Sequence, residues 1–286
     1  MTVYRGFDQE TLDTEYRARG TVPSAVFEAA VARYASDSAR ARESLECRED
    51  IRYGQTADEV VDVFPAGGGA PVLFYIHGGY WRMLSQKESA FMAECFAGLG
   101  AAVVTVNYSL APAASLDVIV AQCRRALAWT RAEAESFGGD PERIFVTGSS
   151  AGGHLTGAMI SGGWHRELGV PEDIVKGACA ISGIFDLEPI RLSEVNEWAG
   201  LDAAAARRNS PIHHLPEAGC PLVVSYGGNE TSEFKRQTDD YAAAWRARGF
   251  SAEHVDMAEA NHFDIVFDYQ NPEGRLTRAV RGLMGL

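Results

Sequence analysis

The stretch Ile144-Phe145-Val146-Thr147-Gly148-Ser149-Ser150-Ala151-Gly152 carries the sharpest local signal in the chain. A short apolar run typical of a buried strand leads directly into the pattern Gly-x-Ser-x-Gly, and a helical segment at 152–159 follows. A turn from strand to helix of this kind is tight and strained, and it presents the middle serine at the top of a sheet. Side chains at Gly148 or Gly152 would clash in such a turn. The pattern therefore predicts that Ser150 is a nucleophile.

Strand and helix segments alternate on both sides of this turn. The predicted strands are 59–64, 72–76, 102–107, 143–147, 177–182, 221–226 and 252–257, and the predicted helices are 85–98, 116–136, 152–159, 233–248 and 275–284. Such alternation is typical of a doubly wound, mostly parallel α/β sheet with helices on both faces. We expect one domain over 1–286, with a strand-free helical segment at 1–50 and a sheet that begins after Gly54. An irregular, lid-like insertion at about 183–215 should cover the C-terminal edge of the sheet.

Composition limits the partners and the compartment. The 286 residues include 39 Asp plus Glu against 26 Lys plus Arg, and the resulting charge of -13 would repel nucleic acid and anionic membranes. The first ten residues lack the basic and apolar stretches of a secretory signal, and no apolar segment approaches the roughly 20 residues that span a bilayer. Five scattered cysteines without a Cys-x-x-Cys pair indicate reduced thiols. We expect a cytoplasmic protein that binds neither nucleic acid nor membrane.

A second glycine motif, His77-Gly78-Gly79-Tyr80-Trp81, follows the predicted buried strand 72–76. Glycines in this place let backbone N–H groups approach a substrate closely. The N–H groups of Gly79 and Tyr80, together with that of Ala151, are therefore expected to donate to the oxyanion of a tetrahedral intermediate. By itself the motif would favour a plain Gly-Gly turn with aromatic residues packed nearby, but its place about seventy residues before Ser150 is the one that an oxyanion loop requires.

A serine hydroxyl becomes a good nucleophile only when a base removes its proton. His262 follows the last predicted strand, where a chain order of serine, acid and histidine places that base. His77 belongs to the glycine motif, and His154 lies one helical turn after Ser150, where it is expected to pack or cap. The remaining histidines are expected at the surface or in the lid: His165, His213, His214 and His254.

The acid that orients this histidine should follow the predicted strand 221–226. The segment Gly227-Gly-Asn-Glu230 supplies a carboxylate there, so Glu230 is the predicted acid. Glu233 is its rival. An acidic side chain at Glu233 is also well explained as the start of the helix 233–248, because it interacts favourably with the helix dipole.

These residues together resemble the α/β-hydrolase superfamily, and within it the branch of kynurenine formamidases (arylformamidases) and related carboxylesterases. The matching segments are His77-Gly-Gly-Tyr-Trp81, Asn107-Tyr-Ser-Leu110, the turn at Ser150, Ser182-Gly-Ile-Phe-Asp-Leu187, the Glu230 segment and His262-Phe263. The resemblance implies a serine hydrolase that forms an acyl-enzyme from a short-acyl ester or an aryl formamide such as N-formylkynurenine. It implies no metal and no organic cofactor. Glu230 departs from the pattern, because most members of the superfamily have Asp as the acid.

The expected substrate-binding wall is aromatic and consists of Tyr80, Trp81, Phe185, Trp198 and Phe263. The Ala-rich N-terminal helices either cover the site or form a contact between copies in a homodimer. A general carboxylesterase or thioesterase is the nearest alternative function. A non-catalytic binding protein of the same fold should lack the serine or the histidine. A metal-dependent amidase needs clustered ligands, and the adjacent pair His213-His214 is poor support because neighbouring side chains on a regular element point apart.

Overall fold

A computed structural model describes residues 2–286, and its central sheet has eight strands in the order β1-β2-β4-β3-β5-β6-β7-β8. The strands are β1 (Arg48–Arg52), β2 (Val60–Phe64), β3 (Ala70–Ile76), β4 (Ala102–Val106), β5 (Gly139–Ser149), β6 (Val175–Ile181), β7 (Leu222–Ser225) and β8 (Ala252–His254). Strand β2 pairs antiparallel with β1 and with β4, and every other neighbouring pair is parallel. The predicted mostly parallel α/β sheet is confirmed.

Helices cover both faces of the sheet. They are α1 (Gln9–Glu15), α2 (Ser24–Ser44), α3 (Ala93–Gly98), α4 (Leu116–Glu133), α5 (Ala151–Met159), α6 (His165–Leu168), α7 (Glu188–Leu192), α8 (Asn196–Ala199), α9 (Ala203–Arg208), α10 (Ser232–Ala247) and α11 (Arg275–Met284). Short 3₁₀ turns lie at Ala18–Thr21, Gln86–Glu88, Ala134–Phe137, Pro211–His213 and Ile265–Gln270. Within residues 2–286, no helix combines the length and the apolar character that crossing a bilayer requires.

The molecule has two hydrophobic cores, because successive side chains along each strand point to opposite faces of the sheet. In β3, Val72, Phe74 and Ile76 pack into one core with α1, α4, α5 and α10. Leu73 and Tyr75 face the other core, with α2, α3 and α11. All of β3 is buried because helices cover both faces, which explains its continuous apolar sequence.

Strand β1 corrects the expectation of a strand-free N-terminal segment and of a sheet that begins after Gly54. Its residues are mostly exposed, with only Ile51 half-buried, and it pairs with β2 along the sheet edge. An edge strand with no buried face needs no apolar alternation, so the sequence pattern did not reveal it. The predicted helix 85–98 is also interrupted, because the N–H of Ala90 donates to Ser38 Oγ of α2 instead of continuing a helix.

Candidate active site

Ser150 occupies the turn between β5 and α5 with φ 58° and ψ -119°, a backbone conformation that L-residues rarely adopt. Its N–H donates to Ile181 O at 2.8 Å, which ties the turn to β6. A Cβ added at Gly148 would lie 2.5 Å from Gly152 O, and one at Gly152 would lie 2.0 Å from Ile76 O. Both positions therefore require glycine, as the strand-to-helix turn predicts.

His262 and Glu230 form a buried hydrogen-bonded pair. Nδ1 of His262 donates to Oε2 of Glu230 at 2.8 Å, which leaves Nε2 of the neutral ring as the unprotonated nitrogen. The other carboxylate oxygen, Oε1, accepts from Ser182 Oγ and from Gly227 N, each at 2.6 Å. Both carboxylate oxygens of Glu230 are thus engaged, and the side chain that contacts the imidazole is itself fixed. Ser182 begins one of the segments that carry the family resemblance, but no role was predicted for its side chain, because a serine after a strand gives no specific signal.

Glu233 lies on α10 and points elsewhere. Its carboxylate accepts from Tyr16 Oη at 2.7 Å and from Arg236 Nε and Nη2 at 2.7 Å each. Burial alone would raise the pKa of Glu233, but the hydrogen bonds from Arg236 and Tyr16 outweigh it and hold the pKa below its usual range. Glu233 therefore ties α1 to α10, whereas Glu230 contacts the histidine.

The loop after β3 has a strained backbone. Gly79 has φ 97°, and the next residues, Tyr80 and Trp81, have φ 51° and 60°. A Cβ at Gly79 would lie 2.1 Å from Met83 O, so only glycine fits there. Within residues 2–286, the backbone N–H groups of Gly79, Tyr80 and Ala151 donate to no protein acceptor. Free backbone donors of this kind are what an oxyanion site requires, and Gly79 and Tyr80 line the cavity beside Ser150, whereas Ala151 is not among its lining residues.

A cavity of about 220 Å³ opens beside Ser150 and His262. Its walls come from the N-terminal segment, the loop after β3 and the turns that carry Ser150 and His262. The lining residues are Ala18, Arg19, Phe27, Val31, Tyr34, Tyr75, His77, Gly78, Gly79, Tyr80, Arg82, Met83, Leu84, Glu88, Ser89, Phe91, Ser149, Ser150, His262, Phe263 and Val266. The 3₁₀ turn Ala18–Thr21 and helix α2 of the N-terminal segment therefore cover this site. In the part of the chain that the structure describes, the segment 183–215 contributes no lining residue.

The aromatic wall differs from the predicted one. Tyr80 and Phe263 line the cavity, but Trp81, Phe185 and Trp198 do not. Trp81 is fully buried and donates through Nε1 to His154 Nδ1 at 3.2 Å, because its backbone conformation turns the ring into the core.

Phe185 is fully buried as well and stacks on Tyr241 with ring centroids 4.1 Å apart. Trp198 packs edge-on against Tyr80 at 5.9 Å, outside the cavity. Aromatic residues that the sequence did not single out take their place in the wall, namely Phe27, Tyr34, Tyr75 and Phe91.

Two other buried histidines have structural contacts. His154 Nε2 contacts Asn209 O at 2.7 Å, and burial lowers its pKa to about 4. His77 Nδ1 contacts Gly78 O at 2.8 Å, its ring stacks on Tyr108 at 4.0 Å, and burial lowers its pKa to about 4. Both imidazoles are therefore neutral near pH 7. His154 packs, as expected. His165, expected at the surface or in the lid, is buried instead and stacks on Trp164 with ring centroids 4.1 Å apart.

One carboxylate cluster within residues 2–286 has oxygen atoms close enough to share a cation, namely Glu49, Asp50 and Asp62. The Lys87 ammonium already lies among them, 2.8 Å from Glu49, 3.0 Å from Asp50 and 3.1 Å from Asp62. The lysine offsets one of the three carboxylate charges, and the cluster lies outside the Ser150 cavity.

Comparison with known proteins identifies the family to which this fold belongs. Residues 73–264 match the family described as alpha/beta hydrolase fold. A kynurenine formamidase from Danio rerio is 31% identical over 100% of this chain and 99% of its own length. Esterase LipQ from Mycobacterium tuberculosis is 27% identical over 76% of this chain and 57% of its own length. A solved structure from Silicibacter sp., proposed to be a thioesterase, superimposes with a TM-score of 0.82 at 27% identity, covering 93% of this chain and 97% of that one.

The chain belongs to the α/β-hydrolase family, and it is a hydrolase enzyme. Within that family, its full-length similarity is to a kynurenine formamidase.

Proposed function

We propose that the protein is a serine hydrolase in which Ser150 is the nucleophile, His262 the base and Glu230 the residue that orients the base. The observation that carries this proposal is that Ser150, on its strained turn, and the His262–Glu230 pair meet at one cavity. The fixed Glu230 carboxylate keeps His262 in the tautomer whose Nε2 accepts a proton, and it stabilises the imidazolium that forms.

In the first half of the reaction, Ser150 Oγ attacks the substrate carbonyl while His262 takes its proton. The free N–H groups of Gly79, Tyr80 and Ala151 stabilise the oxyanion, each contributing roughly 3 kcal/mol in the transition state. His262 then protonates the leaving group, which departs and leaves an acyl-enzyme. In the second half, His262 activates water, which releases the acid and restores Ser150.

The proposed substrate is an aryl formamide or a short-acyl carboxylic ester. A cavity of about 220 Å³ has room for a compact acyl group beside an aromatic ring, and its walls contain Phe27, Tyr34, Tyr75, Tyr80 and Phe263. A formyl group needs the least acyl-side room. The name of the Danio rerio relative supports the formamide, and the name of LipQ supports the ester.

The deciding experiment compares hydrolysis of N-formylkynurenine with that of 4-nitrophenyl acetate and butyrate, with a chelator present. Wild type, Ser150→Ala and the control Ser161→Ala are assayed together, because Ser161 is buried and only donates to Gly157 O at 2.8 Å. We expect the formamide to give the highest kcat/KM, Ser150→Ala to be inactive and the control to be active. Turnover of esters alone would restrict the enzyme to short-acyl esters. Turnover independent of Ser150 would contradict the mechanism.

We further propose a cytoplasmic location, because all five cysteines are free thiols. Cys95, Cys123 and Cys179 are buried, and none of the five lines the Ser150 cavity.

A further inference from the structure

Two arginines without a carboxylate partner lie in the wall of the Ser150 cavity. Arg19 belongs to the 3₁₀ turn Ala18–Thr21, and Arg82 follows the strained loop after β3. Both side chains are exposed, so they lie on the solvent side of the wall. Their guanidinium groups make no hydrogen bond or ion pair with any residue in 2–286. Both therefore have N–H donors free for a ligand.

Each guanidinium is held over an aromatic ring. The Arg19 guanidinium carbon lies 4.8 Å from the centroid of the Phe27 ring. Phe27 in turn packs edge-on against Phe263, with centroids 5.0 Å apart, and Phe263 is next to His262 in sequence. This chain of contacts connects Arg19 to the reacting end of the cavity.

Arg82, in the loop after β3, is likewise held over an aromatic ring. Its guanidinium carbon lies 3.7 Å from the centroid of the Trp198 ring. The Trp198 indole N–H donates to Tyr80 O at 3.1 Å, so the ring is anchored to the loop that carries the free N–H groups. Stacking on an aromatic face restricts the orientation of an arginine while its edge donors stay free to bind a carboxylate in bidentate fashion.

The acidic groups near these arginines are engaged elsewhere. Glu88 also lines the cavity, and its Oε2 accepts from Ser85 N at 2.9 Å and Ser85 Oγ at 2.8 Å. Glu194 pairs with Arg17 through both carboxylate oxygens. The hydrogen bond from Arg17 holds the pKa of Glu194 below its usual range, and the charge of Arg82 adds to that effect. Neither carboxylate contacts Arg19 or Arg82, so in a chain of net charge -13 both arginines at this cavity lack a direct ion-pair partner among the residues that the structure describes.

We propose that Arg19 and Arg82 form a subsite for a carboxylate that the substrate carries away from its reacting carbonyl. The proposal rests on the proposed function, because it names the class of ester or formamide that this cavity selects. A carboxylate is planar and matches the guanidinium fork. Binding energy from such a remote group helps to orient the carbonyl against Ser150.

The test uses two esters that differ only in charge, 3-(4-acetoxyphenyl)propanoate and its primary amide. We expect wild type to prefer the carboxylate by about tenfold in kcat/KM, the scale of one charge-assisted hydrogen bond that is partly screened by solvent. Arg19→Gln and Arg82→Gln should each bring the carboxylate-to-amide ratio towards one. The matched control is Arg166→Gln, an exposed arginine of α6 outside the cavity, which should keep the wild-type ratio. Added NaCl should lower that ratio as well.

A second measurement does not depend on catalysis. Calorimetric titration with 3-phenylpropanoate and 3-phenylpropanamide should show tighter binding of the carboxylate to wild type and loss of that difference in Arg19→Gln and Arg82→Gln. Equal binding of the two compounds by wild type would overturn the subsite, as would an unchanged preference in both arginine variants. Failure of the proposed function has a different signature, since Ser150→Ala would then still hydrolyse both esters.

Discussion

Ser182 Oγ lies 2.6 Å from Oε1 of Glu230, in a buried contact that fixes the carboxylate opposite His262. Ser182 follows β6 with φ 50°, and its own N–H donates to Ser225 O at 2.7 Å. The backbone is thus held in a rarely adopted conformation that brings the hydroxyl to Glu230. Because glutamate has one more rotatable bond than aspartate, a second anchor on its carboxylate compensates for the greater freedom of the side chain.

We expect Ser182→Ala to lower kcat about tenfold while KM changes little. The variant removes a charge-assisted hydrogen bond worth roughly 1.5 to 3 kcal/mol from a group that acts through His262 and not on the substrate. Steady-state kinetics with 4-nitrophenyl acetate measure the effect, and Ser161→Ala is the matched buried-serine control. A rise in KM at constant kcat would show that Ser182 does not act through the base.

Substitution of the two candidate acids should have opposite effects on activity and stability. Glu230→Gln should lower kcat by roughly 10²-fold to 10⁴-fold, because the amide no longer stabilises the imidazolium of His262. Glu233→Gln should keep kcat near wild type and lower the free energy of unfolding by about 2 kcal/mol, because the charged hydrogen bonds with Arg236 are weakened. Kinetics and urea denaturation of both variants test this pair of expectations. The reverse assignment of the acid would exchange the two outcomes.

Gly79→Ala should reduce kcat by about 10²-fold, the scale of one lost oxyanion donor. The new Cβ would meet Met83 O at 2.1 Å, so the loop after β3 has to move and its free N–H groups move with it. The control is Gly98→Ala in α3, where nothing lies within 4 Å of the new Cβ and a slight gain in stability is expected. Equal activity of the two variants would argue against the oxyanion role of the loop.

Phe27 lies in the cavity wall, where we expect it to limit the size of the acyl group. Phe27→Ala should raise the ratio of kcat/KM for 4-nitrophenyl octanoate over acetate, because removing the ring widens the wall. The neighbouring Val26→Ala is the control, since Val26 is 41% exposed and does not line the cavity. An unchanged ratio in Phe27→Ala would place the acyl group elsewhere.

Buried neutral histidines should make the fold less stable in acid. Burial lowers the pKa of His77 and of His154 to about 4, whereas the same groups in the unfolded chain titrate near 6.5. Between these values the unfolded chain binds more protons, so the free energy of unfolding falls as pH decreases from about 6.5 to about 4. Each histidine contributes at most about 1.4 kcal/mol per pH unit.

Urea denaturation of wild type and His154→Gln at several pH values in this range measures the slope. The variant should show the shallower dependence on pH whatever its stability at pH 7. Parallel slopes in the two proteins would mean that His154 is not buried as the neutral form.

Features that depend on local sterics were predictable from the sequence. The turn at Ser150 needs glycine on both sides because the backbone passes close to Ile76, and that requirement is visible in the residues themselves. The alternation of strands and helices similarly fixed the sheet class. Strand β1 was not predicted, because it is held by backbone hydrogen bonds at the sheet edge. Such bonds do not require any pattern of polar and apolar side chains.

Features that depend on distant packing were not predictable. The sequence left open whether the N-terminal helices cover the site, because the contact of Phe27 with Phe263 joins segments far apart in the chain. It also placed Trp81 in the pocket wall, whereas the backbone at positive φ turns this ring towards His154. An aromatic residue beside a glycine motif does not reveal the direction in which its ring points.

The residues that surround the substrate cavity fall on both sides of a boundary in the sequence. The match to the hydrolase family begins at residue 73, yet Arg19, Phe27 and Tyr34 reach the cavity from outside the matched region. Ser150, Glu230 and His262 all lie inside the matched region, whereas part of the cavity wall comes from outside it. We expect that exchanging the N-terminal helices between relatives would change substrate preference and leave the hydrolytic residues unchanged. Mutant libraries that aim at new specificities should therefore vary this segment.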